Sequence, residues 1–216
     1  MADLDALRTR WSHALVGSRG TRAPDLPDPA PYADDLLARW SEPQRRYHTP
    51  DHLTAVLDHV DLLAGAAADP DLVRLAAWFH DAVYRPDRSK NEERSARLAE
   101  RALPEAGLSA AATAEVARLV RLTLTHAPAG DDPNGQVLCD ADLAILASPD
   151  HAYAAYTAAV RQEYAFVPAD AFHEGRAAIL RQLLELPRLF HTPYGAKEWE
   201  GPARRNLTGE LALLTG

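Results

Sequence analysis

Leu72-Val73-Arg74-Leu75-Ala76-Ala77-Trp78-Phe79-His80-Asp81 is the stretch on which the fold of this chain turns. Leu72, Leu75, Ala76 and Phe79 recur at the three-and-four spacing of a helix face. The apolar run then closes on an imidazole and a carboxylate. Charge at the end of a buried-looking helix is costly unless something pairs with it. A divalent cation is one such partner.

The same helical spacing returns at Val116, Leu119, Val120, Thr123 and Leu124. Alanine, leucine and arginine dominate and β-branched runs are scarce, which favours helix over strand. Thr49-Pro50, Asp69-Pro70, Ser148-Pro149 and Thr192-Pro193 each set a capping side chain before a proline, a helix-start signal. Ser89-Lys90-Asn91-Glu92 reads as a capping box. Together these signals predict helices over 3–16, 32–41, 50–64, 70–84, 90–103, 110–125, 140–147, 149–165, 170–186 and 196–214. The expected fold class is all-α: one compact domain over 1–216, with a core over about 45–147 and C-terminal helices over about 149–214. Gly17 to Pro31 is expected to cross the surface, and Ala127 to Gly135 to form a loop that lips the site.

The chain has 216 residues, 47% of them hydrophobic, enough for one sizeable core. Its 23 basic and 31 acidic residues leave a net charge of −8. That balance argues against a nucleic-acid polymer, whose affinity comes from neutralised phosphates. A small phosphorylated substrate stays open, because a local metal ion overrides the global sign. Cys139 is the single cysteine, so no intrachain disulfide forms, and it reads as a buried thiol in a reducing compartment. Met1-Ala2-Asp3-Leu4-Asp5 lacks the basic patch and apolar run of a signal peptide, and no apolar stretch reaches the ~18 residues of a membrane span. The expectation is a cytoplasmic protein without a membrane partner, with homo-oligomerisation left open.

Further metal-ligand types flank the central run. Upstream stands Tyr47-His48-Thr49-Pro50-Asp51-His52, and downstream Asp140-Ala141-Asp142-Leu143. If the helices that start at Pro50 and end at His80 are antiparallel neighbours, His52 faces His80, and Asp142 can reach the same point. Two imidazoles and two carboxylates suit a hard divalent ion with open positions for water and a substrate oxygen. Neighbours such as His80 and Asp81 point about 100° apart on a regular helix, so a shared ion must lie off the helix end. His13, His59, His151, His173 and His191 have no partner pattern and are expected to be structural or exposed; Tyr153, Tyr156 and Tyr164 are expected to pack.

The ordered set His52…His80-Asp81…Asp142 resembles the HD superfamily of metal-dependent phosphohydrolases. Tyr47-His48-x-x-x-His52 resembles a motif of the cyclic-nucleotide phosphodiesterases. Ala77 through Tyr84, Asn91-Glu92-x-x-Ser95-Ala96, Asp140-Ala141-Asp142-Leu143, Arg161-x-Glu163-Tyr164 and Ala203-Arg204-Arg205-Asn206-Leu207 together are similar to a bacterial group of predicted HD phosphohydrolases. The resemblance implies an HD-type helical array and His52, His80, Asp81 and Asp142 as ligands of a divalent metal (Mn, Mg, Fe, Co, Ni or Zn). Asp140 is the competing last ligand, or else an acceptor for a ligand histidine or a bound water. It implies hydrolysis of a phosphate ester or anhydride of a small molecule, a nucleotide by superfamily analogy, by a metal-activated water. His48 or His126 would protonate the leaving oxygen, and Asp81 or Asp142 would orient the water. Arg46, Lys90, Asn91, Glu92, Arg161 and Arg204 are the candidate substrate contacts, the cations among them as phosphate clamps. Tyr84 departs from the pattern: the phosphodiesterases carry a histidine there for a second metal. His126 is the remaining candidate for a second ion. Rival classes are an HD-type di-iron oxygenase and a non-catalytic metal- or nucleotide-binding helical module.

Overall fold

The computed structural model describes residues 2–20 and 26–215. Among them the chain is all-helical, in one domain: α1 (Leu4–Ser18), α2 (Ala30–Trp40), α3 (Pro50–Leu63), α4 (Pro70–Phe79), α5 (Asn91–Glu105), α6 (Ala110–Leu122), α7 (Pro133–Leu143), α8 (Asp150–Glu163), α9 (Ala169–Glu185), α10 (Pro193–Glu198) and α11 (Glu200–Thr215). Short 3-10 turns follow α3 and α7. Of the expected Gly17 to Pro31 crossing, Gly17 and Ser18 belong to α1, and 21–25 lie outside the described residues.

The polar-proline signals work at two of their four sites. Asp69 accepts from the Leu72 amide, and the Thr192 hydroxyl from the Gly195 amide. Thr49 precedes α3 without a side-chain cap bond, and Ser148 lies one residue before the Pro149 that flanks α8. The capping box does not form. Lys90 itself is the flanking residue of α5, in a left-handed conformation at φ +67°, which leaves Ser89 one position too early.

Helix α4 is central. Val73, Leu75, Ala76, Ala77, Trp78 and Phe79 are all buried, so it is apolar around nearly its whole circumference. It packs against α1, α3, α6 and α7. Trp78 and Phe79 meet the Trp11 ring edge-on at 5.4 and 6.0 Å, and the Trp40 indole donates to the Trp78 carbonyl. A second apolar cluster of Leu146, Tyr153, Leu180, Leu189, Phe190, Ala203 and Leu207 holds the C-terminal layer together, and Trp199 touches both clusters.

Three boundaries differ from expectation in ways that matter for the site. Helix α4 stops at Phe79 rather than near 84, and the chain turns out of it at His80 and Asp81. Helix α7 begins at Pro133, capped by Asp132, so Asn134 and Gly135 are buried helix and the expected lip ends early. The last helix is broken at Trp199, separating α10 from α11.

Candidate metal centre

Three helix ends bring the donors together. His52 lies in the first turn of α3, where Pro50 occupies the first helical position. His80 is the residue that terminates α4, and Asp81 sits in the turn beyond it. That early termination removes the conflict of two adjacent side chains diverging on one helix. Asp142 is the penultimate residue of α7. Because α3, α4 and α7 pack on one another, the start of one and the ends of two converge.

The ring centres of His52 and His80 are 5.5 Å apart. Donor atoms of His52, His80 and Asp81 all lie within 4.8 Å of one another. Asp142 Oδ1 stands 3.3 Å from His52 Nε2 and 3.5 Å from His80 Nε2, and Asp81 Oδ2 is 3.4 Å from His80 Nε2. Ligands bound at ~2.1 Å stand roughly 3 Å apart when adjacent and roughly 4.2 Å apart when opposite, so these spacings suit a shared cation with little adjustment.

The chemistry of the donors fits as well. His80 Nδ1 donates to the Ala77 carbonyl at 2.7 Å. This fixes the proton of a neutral ring on Nδ1 and turns the Nε2 lone pair toward Asp81 and Asp142. Nε2 is buried and makes no hydrogen bond. Burial opposes a charged His80, yet Asp81 and then Asp142 outweigh it and lift the imidazole to about 9. Burial likewise opposes a charged Asp142, but His80 and the hydrogen bonds of His126 and His52 hold its carboxyl well below the usual range. At His52 burial wins and the ring is pushed toward neutrality. Two half-buried carboxylates side by side demand positive charge: a protonated His80 supplies one unit, a divalent cation on a neutral His80 supplies two.

No family model, curated protein or solved structure matches the chain.

Around the cluster, the structure singles out Arg45, which the sequence did not, and gives a place to Glu163, which the sequence marked only as part of the Arg161-x-Glu163-Tyr164 motif. Arg45, not Arg46, is the buried arginine. Its guanidinium donates to the carbonyls of His48 (3.0 Å), Asp81 (2.9 Å) and Ala82 (3.3 Å), and lies over the rings of Trp40 and Tyr84. It thus ties the His48 loop to the turn that carries Asp81. Glu163 enters from the end of α8. Its Oε1 accepts the backbone N–H groups of Arg46, Tyr47 and His48 at 2.7, 2.8 and 3.0 Å. Its Oε2 accepts from His48 Nδ1 at 2.7 Å and from the Tyr84 hydroxyl at 3.0 Å. Burial alone would raise this carboxyl; the His48 contact and the backbone donors reverse that and hold it at about 2. His48 Nε2 is left facing Asp81 Oδ2 at 3.7 Å.

His126 does not point at a free space. It ends the turn after α6 at φ +48°, and its Nε2 meets Asp142 Oδ2 at 2.8 Å. It therefore orients Asp142, whose other oxygen faces His52 and His80. Asp140 is corrected outright. Its carboxylate accepts from the amides of His191 and Thr192 and from the Thr192 hydroxyl, all at 2.7–2.8 Å. It is fully buried at the start of α10 and supports no ligand histidine. On α7, residues 140 and 142 point about 200° apart, and only the second faces α3 and α4.

A cavity of about 510 Å³ opens on the cluster. His48, His52, His80, Asp81, Glu92, His126 and Asp142 reach its wall, together with Tyr84, Tyr156 and Tyr164, two of which were expected only to pack. None of the four expected phosphate clamps lines the cavity. Arg46 donates to the Pro43 and Arg45 carbonyls. Arg161 closes the end of α8 on the carbonyls of Tyr164 and Val167. Arg204 holds Glu200 and the carbonyls of Leu184 and Leu186. Lys90 is exposed, and Asn91 closes the loop before α5 by bonding both backbone groups of Arg85. Among the described residues no helix is long and apolar enough to cross a membrane.

Proposed function

We propose that this chain is a metal-dependent phosphohydrolase of the HD type, with His52, His80, Asp81 and Asp142 holding a divalent cation at the floor of the cavity. The observation that carries the proposal is the His80 ring: anchored through Nδ1, buried, and presenting an Nε2 without a hydrogen-bond partner to two carboxylates and a second histidine.

When bound there, the cation supplies Lewis-acid polarisation of a phosphoryl oxygen and eases deprotonation of a water. The protein's own groups do the rest. Asp81 and Asp142 fix orientation at the floor, with Asp142 held by His126. Glu163 accepts from His48 Nδ1 and fixes the ring, turning Nε2 to the cavity side as the proton donor to the departing alkoxide. Arg45 holds the two backbone segments that carry His48 and Asp81 at a constant separation.

The test is metal loading followed by phosphate release. Chelated protein is titrated with Mn²⁺, Mg²⁺, Co²⁺, Fe²⁺, Ni²⁺ or Zn²⁺. At a hundredfold excess over Kd the activating ion raises stability by about 2.7 kcal/mol. Replacing His80 and Asp81 together by alanine removes both that gain and the phosphate release. Full turnover in the double variant, or oxygen uptake by iron-loaded protein without phosphate release, overturns the assignment.

A further inference from the structure

The apolar part of the cavity wall carries information about the organic part of the substrate, given the phosphohydrolase reading above. Ile145, Leu146, Val160, Val167, Phe172 and Ile179 line that side. They come from the turn after α7, from α8 and α9, and from the loop between those two helices. Arg176 is the one cationic lysine or arginine among the described lining residues. Its guanidinium is spent on Glu210, with nitrogen–oxygen distances of 2.7 and 2.9 Å, and it lies over the Tyr156 ring. Against it stand three lining carboxylates, Asp81, Glu92 and Asp142.

Charge and hydrogen bonding then disfavour whole classes of ligand. A divalent ion brings this wall near neutrality and leaves no positive surplus for the three or four charges of a nucleoside polyphosphate. No asparagine or glutamine lines the cavity among the described residues, and the Tyr84 hydroxyl is committed to Glu163. The Thr123 hydroxyl is spent on the Val120 carbonyl, which leaves the hydroxyls of Tyr47, Tyr156 and Tyr164 and the Glu92 carboxylate on the wall, too few to replace all the bonds to water that a nucleobase with its sugar gives up. An alkyl or aryl group gives up nothing and gains burial.

We infer that the substrate is a monophosphate ester of an apolar alcohol or a phenol, with its phosphate at the metal floor and its hydrocarbon part between α8 and α9. The experiment compares 1-naphthyl phosphate and hexyl phosphate with AMP, ATP and glycerol 1-phosphate on metal-loaded protein. The apolar esters are expected to show kcat/KM at least tenfold above AMP and glycerol 1-phosphate, with ATP the poorest. Ile179→Asp, at a half-exposed position that tolerates charge in folding, is expected to cut the naphthyl-over-glycerol preference tenfold. Calorimetry with two inert phosphonates separates the two claims. Tighter binding of 1-naphthylmethylphosphonate than of methylphosphonate, by tenfold or more, supports the apolar subsite even if no ester is cleaved, in which case the hydrolase reading alone falls. Equal affinities, or a preference for AMP or glycerol 1-phosphate, overturn the inference while phosphate release leaves the hydrolase reading standing.

Discussion

Replacing Glu163 by glutamine probes the residue that holds the His48 loop. The carboxylate is buried and accepts five hydrogen bonds, three from consecutive backbone amides. Glutamine keeps the shape and one acceptor oxygen but removes the charge. Its amide nitrogen then faces His48 Nδ1 and the Tyr84 hydroxyl, where an acceptor stood. A carboxyl held at about 2 instead of the ordinary 4.5 corresponds to roughly 3 kcal/mol of folded-state preference for the anion. Losing the charge assistance of five bonds points to the same range. The variant is therefore expected to be roughly 3 kcal/mol less stable at pH 7, measured by urea denaturation.

The pH dependence of that gap follows from the sign of the shift. A lowered folded-state pKa stabilises above the unfolded value, and the stabilisation is lost as pH falls from about 4.5 toward about 2. The gap between wild type and variant should be constant from pH 7 to 5.5 and roughly 1.4 kcal/mol narrower at pH 3.5. A gap below about 1 kcal/mol at pH 7, or one that does not narrow in acid, refutes the account of Glu163. Its role in positioning His48 has a separate readout. Glu163→Gln should slow cleavage of hexyl phosphate more than that of p-nitrophenyl phosphate, whose leaving group needs no proton, with Mn²⁺ affinity unchanged. An equal loss on both esters removes the proton-donor assignment.

Other consequences are simpler to check. Lys90→Gly relieves a left-handed lysine at φ +67° and should stabilise the protein by roughly 0.5–1 kcal/mol with phosphate release intact; lost activity would restore Lys90 as a clamp. Asp140→Ala strands the His191 and Thr192 amides and should cost about 3 kcal/mol in thermal or urea unfolding, while metal analysis of the folded variant still finds the ion. Loss of the metal from folded protein would return Asp140 to the ligand set. Cys139 is buried and its thiol is pushed up, chiefly by burial, so a disulfide reagent should modify it only in denaturant.

How far the site can be read from the chain depends on how local each signal is. His80 and Asp81 stand out because an apolar helical run ends on them, a pattern contained within ten residues. The start of α3 at Pro50 is equally local. Helix α7 starts ahead of its expected position because its start signal, Asp132-Pro133, is embedded in a stretch rich in glycine, proline and aspartate that reads as loop. Arg45 and Arg46 are indistinguishable as letters. Burial and three carbonyl contacts separate them, and those carbonyls belong to residues up to 37 positions away.

The sequence by itself determined that the chain is helical, that its central helix is buried, and that two histidines and two aspartates in order are available as donors. Those properties follow from periodicity, propensity and side-chain chemistry, which act over a few residues. Only the tertiary structure decided that Asp142 and not Asp140 faces the histidines, that Glu163 reaches back across 115 positions to His48, and that the candidate clamps are committed to backbone carbonyls or face solvent. These depend on where helix ends meet and which way each side chain turns there. Packing of the whole core sets both, and no short stretch encodes them.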